Sequence, residues 1–399
     1  MTIEKTDAPL DYVATAAAMS AMLKAMEAVE TVAIDTEADS FHHFHHKVCL
    51  IQLAVDDRCF VVDPLAGLDL TGMLAVLAQK RLIFHDAGYD LRMMLGDFDF
   101  HPQNEIFDTM LAARLAGLEN VSLSALLEEI LNIKLSKQNQ RADWSQRPIS
   151  ADRLSYAVED IRYLAYLANY LTERLEALGR LEWHREYCQW VIGQTQLTKE
   201  LEDPEKVWRI RGTFGLEPRQ MAFVRALWQW RQNQADQADL SPFRVLRNEQ
   251  LIELALWAER QETIDPRKLP RLPQHCKGTR LRLLVEAIQT AEGLSAEQWP
   301  QPLRNGRGSK PAADVLNKAD RLKIECQKIA ESLSLPPQLI ASQKNMLAAV
   351  NTQADTEEKL LRIGWMRWQA GLLLGPLRAI LAVPAGKAKK EASHESRNV

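Results

Sequence analysis

Strand-type patterning in this 399-residue chain is confined to its first half, and only helical spacing follows beyond about residue 200. Short β-rich runs at 32–34, 48–54, 59–62 and 82–84 are separated by polar or turn residues such as Asp56-Asp57. Apolar residues at helical spacing lie between and after them, at 70–79, from Asp90 through Leu95, and at 109–115, 123–131 and 154–171. Strands in hairpins, then strands alternating with helices, predict a mixed sheet flanked by helices. Downstream, 208–212, 218–232, 248–258, 278–291, 313–333, 334–342, 344–350 and 357–381 read as helices. A Pro-rich break at 266–273 falls inside the first helical unit, whereas 299–311, with Gly306 and Gly308, suits an interdomain linker. Residues 385–399 are charged and polar without apolar periodicity and read as a disordered tail.

The length allows two or three domains, and 46% hydrophobic with 26% charged residues is ordinary for a globular protein. No apolar run approaches the roughly 20 residues of a membrane helix, and the first ten residues lack the apolar segment of a signal peptide. Five cysteines without C-x-x-C spacing argue against a disulfide framework or a zinc site and fit a reducing cytoplasm. The net charge of −4 is unevenly spread. Residues 1–200 hold 18 Lys and Arg against 30 Asp and Glu, a net of −12; residues 201–399 hold 31 against 23, a net of +8. Bound cations would offset the acidic half, and the basic half suits a grip on phosphates.

Four acids and a tyrosine are arranged for hydrolytic metal chemistry. Asp35 and Glu37 end the apolar run from Thr31 to Ile34, and residues i and i+2 of a strand share a face. Tyr156 and Asp160 are four apart in a helical stretch and share a face there, whereas Glu159 points elsewhere. Asp90 follows another strand run, after His85 and beside Tyr89. Converging carboxylates are what hard divalent cations such as Mg²⁺ or Mn²⁺ take as ligands. Two such ions about 3.5–4 Å apart clamp the attacking and leaving oxygens of an in-line displacement.

The segments AIDTEAD…KVCLIQLA, LIFHDAGYDLRMM and LSYAVEDIRYLAYL resemble the three exonuclease motifs of the DEDD superfamily, tyrosine subclass. KQNQRADWSQRPIS, residues 137–150, narrows the resemblance to the ribonuclease D family. It is dense over residues 20–195 and thinner beyond. It implies an α/β ribonuclease H-like exonuclease domain over 1–200, followed by all-α HRDC-like domains at 201–295 and, more divergent, 310–384. It also implies a metal-dependent 3′→5′ exoribonuclease that trims RNA 3′-hydroxyl ends, tRNA precursors among them, and releases nucleoside 5′-monophosphates. In that scheme two ions, Mg²⁺ or Mn²⁺, bind Asp35, Glu37, Asp90 and Asp160. Asp35 bridges them, Glu37 and Asp160 serve the nucleophile side, and Asp90 acts on the second ion. Tyr156 orients the attacking water or helps deprotonate it. Neither a membrane nor an obligate protein partner is implied.

Other candidates stay open at this stage. Lys137, Gln140, Arg141 and Arg147 suit phosphate or sugar contacts, and Trp144 either stacks a base or packs its loop with Asp143. His85 and Tyr89 border the terminal nucleotide or belong to the core. The run Phe41-His42-His43-Phe44-His45-His46 fits a solvated loop, a substrate-contacting loop or a transition-metal site. Tryptophans mixed with arginines around Trp208 and Trp228 read as core or as base-stacking surface. Two rival functions remain: a DNA 3′→5′ exonuclease, and a non-catalytic RNA-binding protein on an exonuclease fold.

Overall fold

The computed structural model describes residues 9–135, 142–198, 203, 205–301 and 312–383. Its strands are β1 (Leu10–Val13), β2 (Thr31–Ala38), β3 (Val48–Val55), β4 (Arg58–Val62), β5 (Arg81–Phe84) and β6 (Ile106–Asp108). They form one mixed sheet in the order β1-β4-β3-β2-β5-β6. β2, β3 and β4 make an antiparallel meander, while β1 joins β4, β5 joins β2 and β6 joins β5 in parallel. The four expected strand runs fall within β2 to β5. β1 and β6 are additions at the two sheet edges, of four and three residues, too short for an alternation to register.

Alternate strand residues face opposite sides of a sheet, and here both sides are covered. Val32, Ile34, Leu53, Phe60, Val62 and Phe84 fill one core. Above it lie α1 (Ala16–Glu27), α2 (Thr71–Ala78) and α3 (Ala87–Phe98). Ala33, Cys59, Val61, Ile83 and Phe107 face the other way. They meet α4 (Thr109–Leu115), α5 (Leu123–Leu131), α6 (Ala151–Arg162) and α7 (Leu164–Ala177). The expected helix 154–171 is therefore two. Tyr163 leaves the helical region between them (φ −107°, ψ 0°), so that α6 lies on the sheet while α7 packs against α4 and α5. α8 (Leu181–Thr198) runs along α3, α4 and β6.

Beyond α8 every regular element among the described residues is helical. α9 (Pro218–Ala238), α10 (Pro242–Val245), α11 (Asn248–Glu259) and α12 (Thr279–Glu292) enclose Phe223, Leu227, Leu254 and Leu284. The expected helix 208–212 is not formed. Gly212 takes φ +98°, and a Cβ there would stand 2.7 Å from Ile252 Cδ1, so the chain turns with Trp208 buried in the core. α13 (Ala313–Leu333), α14 (Pro337–Ile340), α15 (Gln343–Asn351), α16 (Glu357–Arg362) and α17 (Arg367–Leu381) follow. The expected helix 357–381 is split near Gly364, whose φ of +90° interrupts the helical ladder.

This last unit packs on the exonuclease helices. Arg180 donates to Leu115 O and to Leu333 O at 2.7 and 2.6 Å. Trp183 stacks on Trp368, and Glu186 accepts from the backbone N–H groups of Arg367 and Trp368. Most of the expected linker, 302–311, and the tail 385–399 lie outside the described residues. Among the described residues no helix is long and apolar enough to cross a membrane.

Candidate active site

Asp35 lies on β2 on the face of Ala33, the side that α6 covers. A bulge falls just beyond Glu37, between Glu37 and Ala38. On α6, whose first turn is capped by Ser150 Oγ accepting from Arg153 N, Tyr156 and Asp160 stand one turn apart. One carboxylate oxygen each from Asp35, Glu37 and Asp160 lies within 4.8 Å of the others. These three acids are half-buried and Tyr156 is buried.

Asp90 stands outside that group of three. It sits buried in the first turn of α3 and is held by Thr36, the residue between the two β2 acids. Its Oδ1 accepts from Thr36 N at 3.1 Å and from Thr36 Oγ1 at 2.5 Å. Its influence on the site is nonetheless direct, because its charge adds to the repulsion felt by Asp35 and Glu37.

Burial is the first cause that raises every carboxyl here, and crowding of like charge is the second for most. Asp35 is pushed well above the usual carboxylate range by desolvation, then by Asp90, Glu37 and Asp160. Glu37 is raised in the same way, by desolvation and then by Asp160 and Asp90. Asp160 rises to about 6, through burial and the neighbouring Glu159. Asp90 rises to about 7 through burial, against the pull of its Thr36 bonds. Tyr156 is raised too, by burial and by the Asp160 charge next to it. Such a concentration of buried negative charge is unfavourable alone and favourable around a cation. Its all-oxygen donors suit a hard divalent ion rather than a soft metal, so the residues present fit the cofactor that the motifs imply.

A cavity of 320 Å³ opens on this group, lined among others by Asp35, Tyr156, Asp160, His85, Asp86 and Leu123. His85 thus borders the site. Its Nδ1 is 2.9 Å from Thr109 Oγ1, and burial pulls it down to about 4, leaving it neutral near pH 7. Tyr89 is exposed, its hydroxyl 3.0 Å from Ser40 Oγ.

The loop ahead of α6 takes a packing role at both of its described candidates. Trp144 is 1% exposed and stacks on Tyr156 with ring centroids 6.2 Å apart. Arg147 places Nε and Nη2 on Asp63, each at 2.7 Å, and donates to Cys49 O and Trp144 O at 2.9 and 2.6 Å. Lys137, Gln140 and Arg141 lie outside the described residues.

The histidine run is a docking loop. Asp39 accepts from Lys47 N and Nζ at 2.8 and 2.7 Å and closes its base. His43 Nδ1 meets Asp239 at the end of α9 at 2.7 Å, and its Nε2 meets Ser145 Oγ at 3.1 Å. Phe44 N and His45 N donate to Asp239 Oδ1, and His45 pairs with Asp236. Phe44 packs against the core of the first helical unit. Phe41, His45 and His46 of the same run remain exposed.

Gln52 is a residue that motif reading passed over. It pairs across the sheet with Asp35 and therefore shares its face, and its buried carboxamide has no partner on either atom among the described residues. Its signal in the sequence is one amide inside the apolar run of β3.

This architecture is that of a nuclease which removes nucleotides from a 3′ end. Residues 10–176 match the 3′-5′ exonuclease family, and residues 220–262 match the HRDC domain. The chain is 31% identical over 360 residues to ribonuclease D of Zymomonas mobilis, spanning 88% of this chain and 89% of that one. A solved Bifidobacterium adolescentis protein shares the fold with a TM-score of 0.76 at 23% identity, over 94% of this chain and 97% of that one. Escherichia coli RNase D superposes with a TM-score of 0.68 at 23% identity, over 94% and 98%. The chain belongs to the ribonuclease D family and is a 3′-5′ exoribonuclease.

Proposed function

We propose that this enzyme trims the 3′ ends of structured RNAs, tRNA precursors among them, and releases nucleoside 5′-monophosphates. The observation that carries the reading is the convergence of Asp35, Glu37 and Asp160 within 4.8 Å, with Asp35, Asp160 and Tyr156 lining one cavity. The proposed metal ligands are these three acids together with Asp90, for two ions, Mg²⁺ or Mn²⁺. When bound, such ions activate water and stabilise charge on the attacking and leaving oxygens.

The protein's own residues do the rest. Asp35 and Glu37, on one strand face, fix the spacing of the ligands. Thr36 holds the Asp90 carboxylate in place through two hydrogen bonds. Tyr156 keeps its proton, because burial and the Asp160 charge raise its pKa. Its proposed part is to orient the attacking water by hydrogen bonding. Trp144, stacked behind it, limits its movement. His85, neutral and on the cavity wall, is the proposed contact to the terminal sugar.

The three-part division at 1–200, 201–295 and 310–384 is proposed with this function, the basic helical half holding upstream RNA. The proposed location is the cytoplasm, and no obligate protein partner is assigned. A 5′-labelled single-stranded RNA with Mg²⁺ or Mn²⁺ against EDTA tests the activity. A metal-dependent ladder shortening from the 3′ end is expected. Asp35→Asn is expected to slow it at least about 1,000-fold, in keeping with loss of electrostatic stabilisation in an active site. Shortening at the wild-type rate by Asp35→Asn would remove the carboxylate assignment. RNA binding without shortening would favour a binding protein, and faster attack on a matched DNA strand would favour a DNA exonuclease.

A further inference from the structure

The 320 Å³ cavity at the carboxylates is small among ligand sites, which run from about 300 to 1,000 Å³. An RNA that seats its 3′ nucleotide there must carry the preceding nucleotides across the rim. One surface next to the site, on the side of Asp90, is aromatic. Tyr89 lies in the first turn of α3, between Asp86, which lines the cavity, and Asp90, and it is 40% exposed. Its hydroxyl meets Ser40 Oγ. The next residue, Phe41, is 46% exposed, and its ring centroid lies 4.9 Å from that of Phe243, itself 41% exposed on α10. Exposed Arg244 follows, with Nη1 2.9 Å from His42 Nδ1. Ser241 ties the two elements together: its Oγ donates to Ser40 O at 2.6 Å and its N–H to His42 O at 3.2 Å.

Single exposed aromatics are ordinary. Here three exposed rings and a guanidinium, from α3, the 39–47 loop and α10, are joined by contacts into one strip that begins next to Asp90. Bases stack on aromatic faces whatever their sequence, and cations hold the intervening phosphates. The strip also leads from the acidic half of the chain to the basic half. Building on the exoribonuclease reading above, we propose that Tyr89, Phe41 and Phe243, with Arg244, stack and hold the single-stranded RNA just upstream of the 3′ nucleotide. The histidine-rich loop then has a purpose beyond docking, because it joins the helical unit to the catalytic sheet at the place where the strand must pass.

The test compares a dinucleotide with a 12-nucleotide RNA in steady-state kinetics on the full chain with Mg²⁺. Phe243→Leu keeps the apolar bulk and removes the aromatic face, whereas Phe243→Trp keeps a face. Phe243→Leu is expected to raise KM for the 12-mer about 5-fold or more, the lower end for losing one stacked base. Its kcat and its kinetics on the dinucleotide should stay unchanged. Phe243→Trp should behave as wild type, with its emission quenched by RNA. Phe214→Leu, at a position 90% exposed elsewhere on the helical half, should change nothing. Wild-type kinetics for Phe243→Leu on both substrates would overturn the strip, as would equal losses on both, which mark a packing defect. Wild-type protein that shortens neither RNA would overturn the exoribonuclease reading and the strip with it.

Discussion

At the scale of single residues, the site is a set of carboxyls that the fold holds against their own preference for water. Asp160 at about 6 and Asp90 at about 7 both bind protons more tightly in the folded state than in an unfolded chain. A group raised in this way contributes stability below its folded pKa and loses that contribution as pH rises through it. The metal-free protein therefore loses stability from this cluster between about pH 4 and pH 7. A divalent ion binds the deprotonated cluster and offsets the loss. The difference in Tm between Mn²⁺ and EDTA is thus expected to be small at pH 5.5 and to grow toward pH 8. Buried His85 and His184, both pulled down to about 4, act alike with and without metal and drop out of that difference. Thermal scans at both pH values check this; a metal shift of equal size at each would show that these carboxyls are not the binding groups. The D-x-E pair and the Tyr-x₃-Asp pair were legible in the sequence because strand and helix periods are local. The Thr36–Asp90 bond and the Gln52–Asp35 pairing were not, since each needs a register or a contact between distant segments.

At the scale of elements, the loop before α6 shows how a visible signature can hide its role. A polar, basic and aromatic run ahead of a catalytic helix suits RNA as well as it suits packing. What decides at Arg147 is Asp63, 84 residues away, whose side chain is 3% exposed and receives two guanidinium bonds. Removing the cation leaves a buried carboxylate whose remaining partners among the described residues are Tyr12 and the Leu65 N–H. Arg147→Met is expected to cost about 2–4 kcal/mol, slightly under the usual figure for breaking a buried pair because Arg147 is partly exposed. Urea unfolding measures it. An unchanged midpoint together with weaker RNA affinity would return Arg147 to the substrate side. The missed elements have related causes. β1 and β6 are edge strands defined by the neighbours they pair with. The splits at Tyr163 and Gly364 reflect where each helix must turn to pack, which apolar spacing alone does not record.

At the scale of the whole molecule, the catalytic sheet and the first helical unit meet through one carboxylate more than any other. Asp239 caps α9 in the left-handed region (φ 45°) while accepting from Phe44 N and His45 N and meeting His43 Nδ1. Because its side chain is 45% exposed, the bonds act as a latch rather than as a core contact. Asp239→Gly removes the carboxylate and keeps the backbone, since glycine adopts positive φ freely. The sheet, the carboxylate group and the cavity do not depend on this residue, so the dinucleotide should be hydrolysed at the wild-type rate. The helical unit, however, should loosen from the 39–47 loop. Limited proteolysis is expected to cut there and near 240 sooner than in the wild type. KM for a 12-nucleotide RNA should rise as the strand loses its path between the two halves. Protease resistance and length dependence both equal to wild type would mean that the apolar contacts, Phe44 in the helical core and Phe41 on Phe243, hold the units together without the latch.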